Sequence, residues 1–140
     1  MTTLDSLVDG LASALVALDG TDHLFLWRGG SSAFISDGGS NRFVQFARSG
    51  TDLRAESVGD QYLDDGDELT PAQHADLVQL GWSPPDESGN YWGQWPDPPP
   101  FRAVAAMALE TLGRIHGVEH AEQLDFRGSP EILRAFLPSS

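Results

Sequence analysis

Between residues 23 and 59 the chain alternates short apolar stretches with turn chemistry, and this limits its fold more than any other feature. The stretches are "HLFLWR" (23–28), "SAFIS" (32–36), "RFVQFA" (42–47) and "LRAESVG" (53–59). Each is rich in β-branched or aromatic residues, as strands are. The gaps hold "GGS", "DGGSN" and "SGTD", all turn-forming. Connections this short join only antiparallel neighbours, because a parallel pair needs a long crossover. The expectation is an antiparallel meander. Its first strand, apolar on both faces, belongs in the middle of the sheet or under a helix. In "LRAESVG", Arg54 and Glu56 alternate with Leu53 and Ala55, which leaves one face to water.

Helices flank this block. Leu4, Leu7, Val8, Leu11, Leu15 and Leu18 recur at helical spacing over 3–18, with Gly20 placed to stop the run. Thr70, Pro71 and Gln73 spell a cap, a first-turn proline and a capping-box partner. Gly81 stands where that helix should end, and Trp82 follows where a side chain packs back onto the last turn, near Leu77. "YWGQW" (91–95) reads as a fifth strand, with Tyr91 and Trp95 on one face and Trp92 on the other. Phe101, Val104, Ala105, Ala108, Leu112 and Ile115 stripe a third long helix, about 100–116, in which Glu110 and Arg114 are spaced to pair. "DFRG" is a short strand or a loop, and Ser129 and Pro130 open a last helix through Phe136. The class is α+β: one antiparallel sheet of about five strands with helices packed on it, in the order α-β-β-β-β-α-β-α-α. No repeat or linker divides the 140 residues, so 1–140 reads as a single domain.

Composition narrows the function. There are 21 acids and 8 basic residues, giving a formal charge of −13; every basic residue is Arg. Such a chain is repelled by nucleic acid and by anionic membranes. No apolar run approaches the roughly 20 residues of a membrane span. The start carries no basic residue, unlike a secretory signal, and there is no cysteine, so a reducing cytoplasm is the expected location.

Chemistry is hard to find. His116 and His120 are four apart, but Gly117 interrupts the helix between them and Glu119 makes a poor third ligand, so no metal is expected. His116 reads instead as a cation favourable to its helix end. The acids Asp60, Asp64, Asp65, Asp67 and Glu68 crowd one loop without the spacing of a calcium site. No phosphate loop, nucleotide-binding glycine pattern or nucleophile elbow occurs, and no cofactor is implied. An unusual carboxylate site around 60–68 is all that keeps an enzyme in view.

Aromatic residues remain. Trp27, Phe34, Phe43, Phe46, Tyr62, Trp92 and Trp95 exceed what one small core needs on both sides of a sheet. If helices cover only one face, the other is open to a partner, since large exposed apolar patches mark interaction surfaces. Trp27, Phe34, Phe43, Phe46, Trp92 and Trp95 are therefore the candidate peptide- or partner-binding residues.

Three phrases carry a family likeness: "RFVQFARSGTDLRAESVGDQYL", "LTPAQHADLVQLGW" and "NYWGQWP" before a helix. Over roughly residues 3–126 the chain resembles the TY-Chap domains of actinobacteria, peptide-binding chaperones grouped with type III secretion chaperones and YbjN-like proteins. The resemblance implies a helix–sheet–helix fold, often a homodimer, that holds unfolded or extended client segments. It supplies no catalytic residues. The resulting expectation is a non-enzymatic chaperone or adaptor for a protein or peptide client. The alternative is an acidic immunity or antitoxin-like protein that blocks a basic toxin, which predicts tight binding that weakens steeply with salt.

Overall fold

The computed structural model describes residues 3–20, 22–28, 42–59 and 68–136. The chain opens with a 3-10 turn, Leu4–Leu7, that runs into α1 (Val8–Ala17). Strands β1 (His23–Arg28), β2 (Phe43–Ser49) and β3 (Asp52–Ser57) follow. Then come α2 (Pro71–Leu80), β4 (Tyr91–Trp95), α3 (Phe101–Arg114), a second 3-10 turn, β5 (Leu124–Arg127) and α4 (Pro130–Phe136). The expected strand 32–36 lies outside the described residues, as do Phe34, Tyr62 and the loop acids Asp60 to Asp67.

All five strands form one antiparallel sheet in the order β4–β3–β2–β1–β5. Strand β1 is interior, as its two apolar faces imply. The meander is completed by "DFRG", which is a strand: it crosses back to pair with β1, setting Leu26 opposite Phe126. Among the described residues, β4 and β5 are thus the two edges.

Register fixes the faces, because side chains alternate along a strand. Leu24 pairs with Phe46, and Phe46 with Ala55. Leu26 pairs with Val44, Val44 with Ser57, and Ser57 with Tyr91. This inner face joins Leu11, Ala14 and Leu15 of α1, Leu77 of α2, Val104, Ala108 and Leu112 of α3, and Ile132 and Phe136 of α4 in one core. Helix α1 lies between α3 and α4 and packs on both.

The helix signals act as the sequence predicts. The Thr70 hydroxyl accepts the Gln73 amide at 3.1 Å, and the Gln73 carboxamide accepts the Thr70 amide at 2.9 Å. Gly81 ends α2 at φ 118°, a left-handed conformation that a side chain would strain. Glu110 and Arg114 pair at 2.8 Å.

His116 departs from its expected role. Its ring is fully buried and shares a 2.8 Å hydrogen bond with Ser57 Oγ. At that end of α3, beyond Arg114 in the last turn, Arg42 is buried beside β2 and donates to the Ile115 carbonyl at 3.1 Å. An arginine can neutralise the helix end and stay solvated by carbonyls, which a buried imidazole does less well. Arg48 does the same for α1, donating to the Leu18 carbonyl at 3.1 Å and stacking 5.3 Å over Phe101.

Candidate functional site

The outer face of the sheet has an aromatic half and a polar half. Phe25, Trp27 and Phe43 share one side of β1 and β2, with Trp27 directly opposite Phe43. Trp27 and Phe25 are outside the core cluster, whereas half-buried Phe43 packs against its margin. Trp27 is nevertheless only 9% exposed. The polar half lies on β3 and β4. Arg54 sits 5.2 Å over the Trp92 ring, donates to Glu56 at 2.9 Å and reaches Asp86 at 2.8 Å.

This network is closed on itself. Glu56 also accepts from Gln45 at 3.0 Å and from Asn90 at 2.9 Å. Burial alone would raise the Glu56 pKa, but hydrogen bonds from Asn90, Arg54 and Gln45 outweigh it and hold the carboxyl below its ordinary value. Hydrogen bonds from Ser88 and Arg54 bring Asp86 to about 2. Trp92 is therefore roofed by a guanidinium whose charge is already matched, which makes it a structural platform for Arg54.

At the β4 edge the arrangement is open. Trp95 alternates onto the inner face, but there it lies at the margin of the core. Its indole folds back over Gly93, where a Cβ would stand 2.7 Å from Cη2 of the ring. The exposed side of that indole forms a groove of about 220 Å³ with Leu80 of α2 and Pro100, Ala103, Val104 and Met107 of α3. Every lining residue is apolar. The groove runs beside backbone that β3 does not use. Ser83 bridges to Trp92 by two backbone hydrogen bonds, of 2.8 and 3.2 Å, so Trp92 presents its amide and carbonyl outward. By the two-residue period of a strand Gln94 faces the same way, and among the described residues its backbone pair has no partner.

The residues singled out in the sequence are thus scattered. Trp27 and Phe43 sit together on the outer face, Trp92 lies beneath Arg54, and Trp95 lines the groove. Phe46 is fully buried in the core, and Phe34 lies outside the described residues. Leu80, Ala103 and Met107 carried no signal, because each continues a helix pattern and only the tertiary fold brings them to Trp95. His74 shares a 2.6 Å hydrogen bond with the Tyr91 hydroxyl. Among the described residues no three His, Asp or Glu side chains gather as a metal ion requires, and no helix is long and apolar enough to cross a membrane.

One family model matches residues 5–130: TY-Chap3, the T3SS (YopN, CesT) and YbjN peptide-binding chaperone 3. The chain belongs to the TY-Chap3 family. The match takes in every element from α1 through β5, so the TY-Chap3 unit includes both sheet edges and the groove. Comparison with curated proteins and with solved structures gave no match.

Proposed function

We propose that this TY-Chap3 chain is a non-enzymatic chaperone or adaptor that holds an extended, apolar client segment in the Trp95 groove, along the edge of β4. One observation carries the reading: an open groove lined only by apolar side chains lies beside a backbone amide and carbonyl at Gln94 that have no partner among the described residues. Strand addition uses this combination, with main-chain hydrogen bonds giving affinity and a side-chain pocket giving selectivity. The volume suits one large side chain; it falls below the roughly 300–1,000 Å³ of small-molecule sites. The family description as a peptide-binding chaperone supports the same reading.

The test is Ala103→Glu, which puts a charge on the groove wall at an exposed helix position and leaves the core alone. Exposed Ala106→Glu, off the groove, is the control. Binding to an immobilised library of extended apolar peptides should fall with Ala103→Glu and persist with Ala106→Glu. Equal binding by both variants would place the client elsewhere.

A further inference from the structure

We infer that the client segment is cationic as well as apolar: it sets one aliphatic side chain against Trp95 and carries Arg or Lys on the neighbouring residues. This rests on the groove reading above and specifies its client.

Strand geometry sets the first half. A client residue paired with Gln94 points to the outer face, as Gln94 does, and its neighbour points to the inner face, into the groove. The edge available is short. Ser83 occupies Trp92 on one side, and Pro96 has no amide to offer on the other. One apolar side chain can therefore enter the groove, flanked by residues that emerge on the outer face.

Charge sets the second half. Asp52 lies beside Gln94, accepting its side-chain amide at 2.9 Å. Asp97 sits on the loop between two groove residues, Trp95 and Pro100, and Glu87 on the loop that leads into β4. Among the described residues none of these three acids pairs with a cation. The arginines nearby are engaged within the fold: Arg54 with Glu56 and Asp86, Arg102 with Asp9, Arg48 with the carbonyls of Leu15 and Leu18. An apolar slot beside an edge that carries Asp52 next to Gln94, with Asp97 in the loop that follows, on a chain of formal charge −13, complements a basic strand.

Three fluorescein-labelled heptapeptides of Ser and Thr test this by anisotropy. One has a central Leu with Arg on both sides, one the Leu with Ser on both sides, and one the two Arg with a central Ser. The Arg-Leu-Arg peptide should bind roughly five- to ten-fold more tightly than the neutral Leu peptide in 50 mM salt, two exposed ion pairs being the source. That preference should shrink at 1 M salt and in the Asp52→Asn/Asp97→Asn protein, which should keep its affinity for the neutral peptide. Equal affinity for the two Leu peptides would overturn the cationic client and leave the groove standing. Arg peptide binding as tight without Leu, or binding of the neutral Leu peptide by Ala103→Glu equal to wild type, would overturn the groove reading and this inference together.

Discussion

The indole Nε1 of Trp82 donates a 2.8 Å hydrogen bond to the Thr111 hydroxyl, tying the turn that leaves α2 to the last turns of α3. Both side chains are buried, and the Thr111 hydroxyl in turn donates a hydrogen bond to the Met107 carbonyl at 2.8 Å. Thr111→Val keeps the shape but strands the indole N–H without water. A buried donor left unsatisfied costs about 1–3 kcal/mol. Urea unfolding of the variant should show a loss in that range, with Thr111→Ser losing less because the acceptor survives. An unchanged midpoint for Thr111→Val would mean that the bond contributes nothing net.

The Arg54 network makes the fold acid-sensitive. Glu56 and Asp86 both have folded pKa values below the ordinary ones, Asp86 at about 2 against 3.8. As pH falls, the unfolded chain therefore takes up protons first. The stabilisation is complete above the ordinary carboxylate range and is lost as pH drops through it towards the folded values. Urea midpoints should hold level from pH 7 to about 5 and fall steeply between about 4 and 2, the window set by these two groups. Asp86→Asn should flatten part of that fall. A variant with the wild-type acid profile would remove Asp86 from the account.

Phe46 and Ala103 should separate stability from binding. Phe46 is fully buried and paired with Leu24 and Ala55 across the sheet, so Phe46→Ala opens a cavity at the centre of the core. That change should cost about 3–5 kcal/mol and lower the unfolding midpoint sharply. Ala103→Glu, on the surface, should leave the midpoint within about 0.5 kcal/mol while abolishing capture of apolar peptides. Loss of peptide binding by a still-folded Phe46→Ala protein, with Ala103→Glu unaffected, would move the site to the sheet.

Those contrasts show what was legible in the sequence. Local chemistry was: the capping box at Thr70, the left-handed stop at Gly81 with the Trp82 amide turned back to the Leu77 carbonyl, and the alternation of Trp92 and Trp95 each depend on a few consecutive residues. Strand alternation even separates Phe43 from Phe46, since three residues apart means opposite faces. Which face the helices cover is a property of the assembled layers, so aromatic content alone could not sort core from surface. The groove was less legible still. It joins the end of α2, an edge strand and one side of α3, and β4 becomes an edge only because β5 crosses to the far side of β1. His116 misled for a similar reason: its sequence neighbours mark a helix end, but the neighbour that decides its role is Ser57, on another element.

Gly93 offers the closest test of the groove itself. The Trp95 indole lies over this glycine, and a Cβ there would stand 2.7 Å from Cη2 and 3.0 Å from Cζ2 of the ring. Gly93→Ala must therefore displace the indole, which is half-buried at the groove wall and has solvent on one side to move into. The backbone has no reason to object, since glycine inside a strand is itself unfavourable by roughly 0.5–1 kcal/mol relative to alanine. The expected outcome is a small change in unfolding midpoint, a red shift in tryptophan emission that is absent when the same substitution is made in Trp95→Phe, and weaker binding of the Leu-containing peptides. One aliphatic side chain buried in the groove contributes about 1.5–3 kcal/mol, so full loss of that contact would weaken binding by roughly ten- to a hundred-fold. A displaced indole with unchanged peptide affinity would show that Trp95, in the position the fold gives it, is not what holds the client.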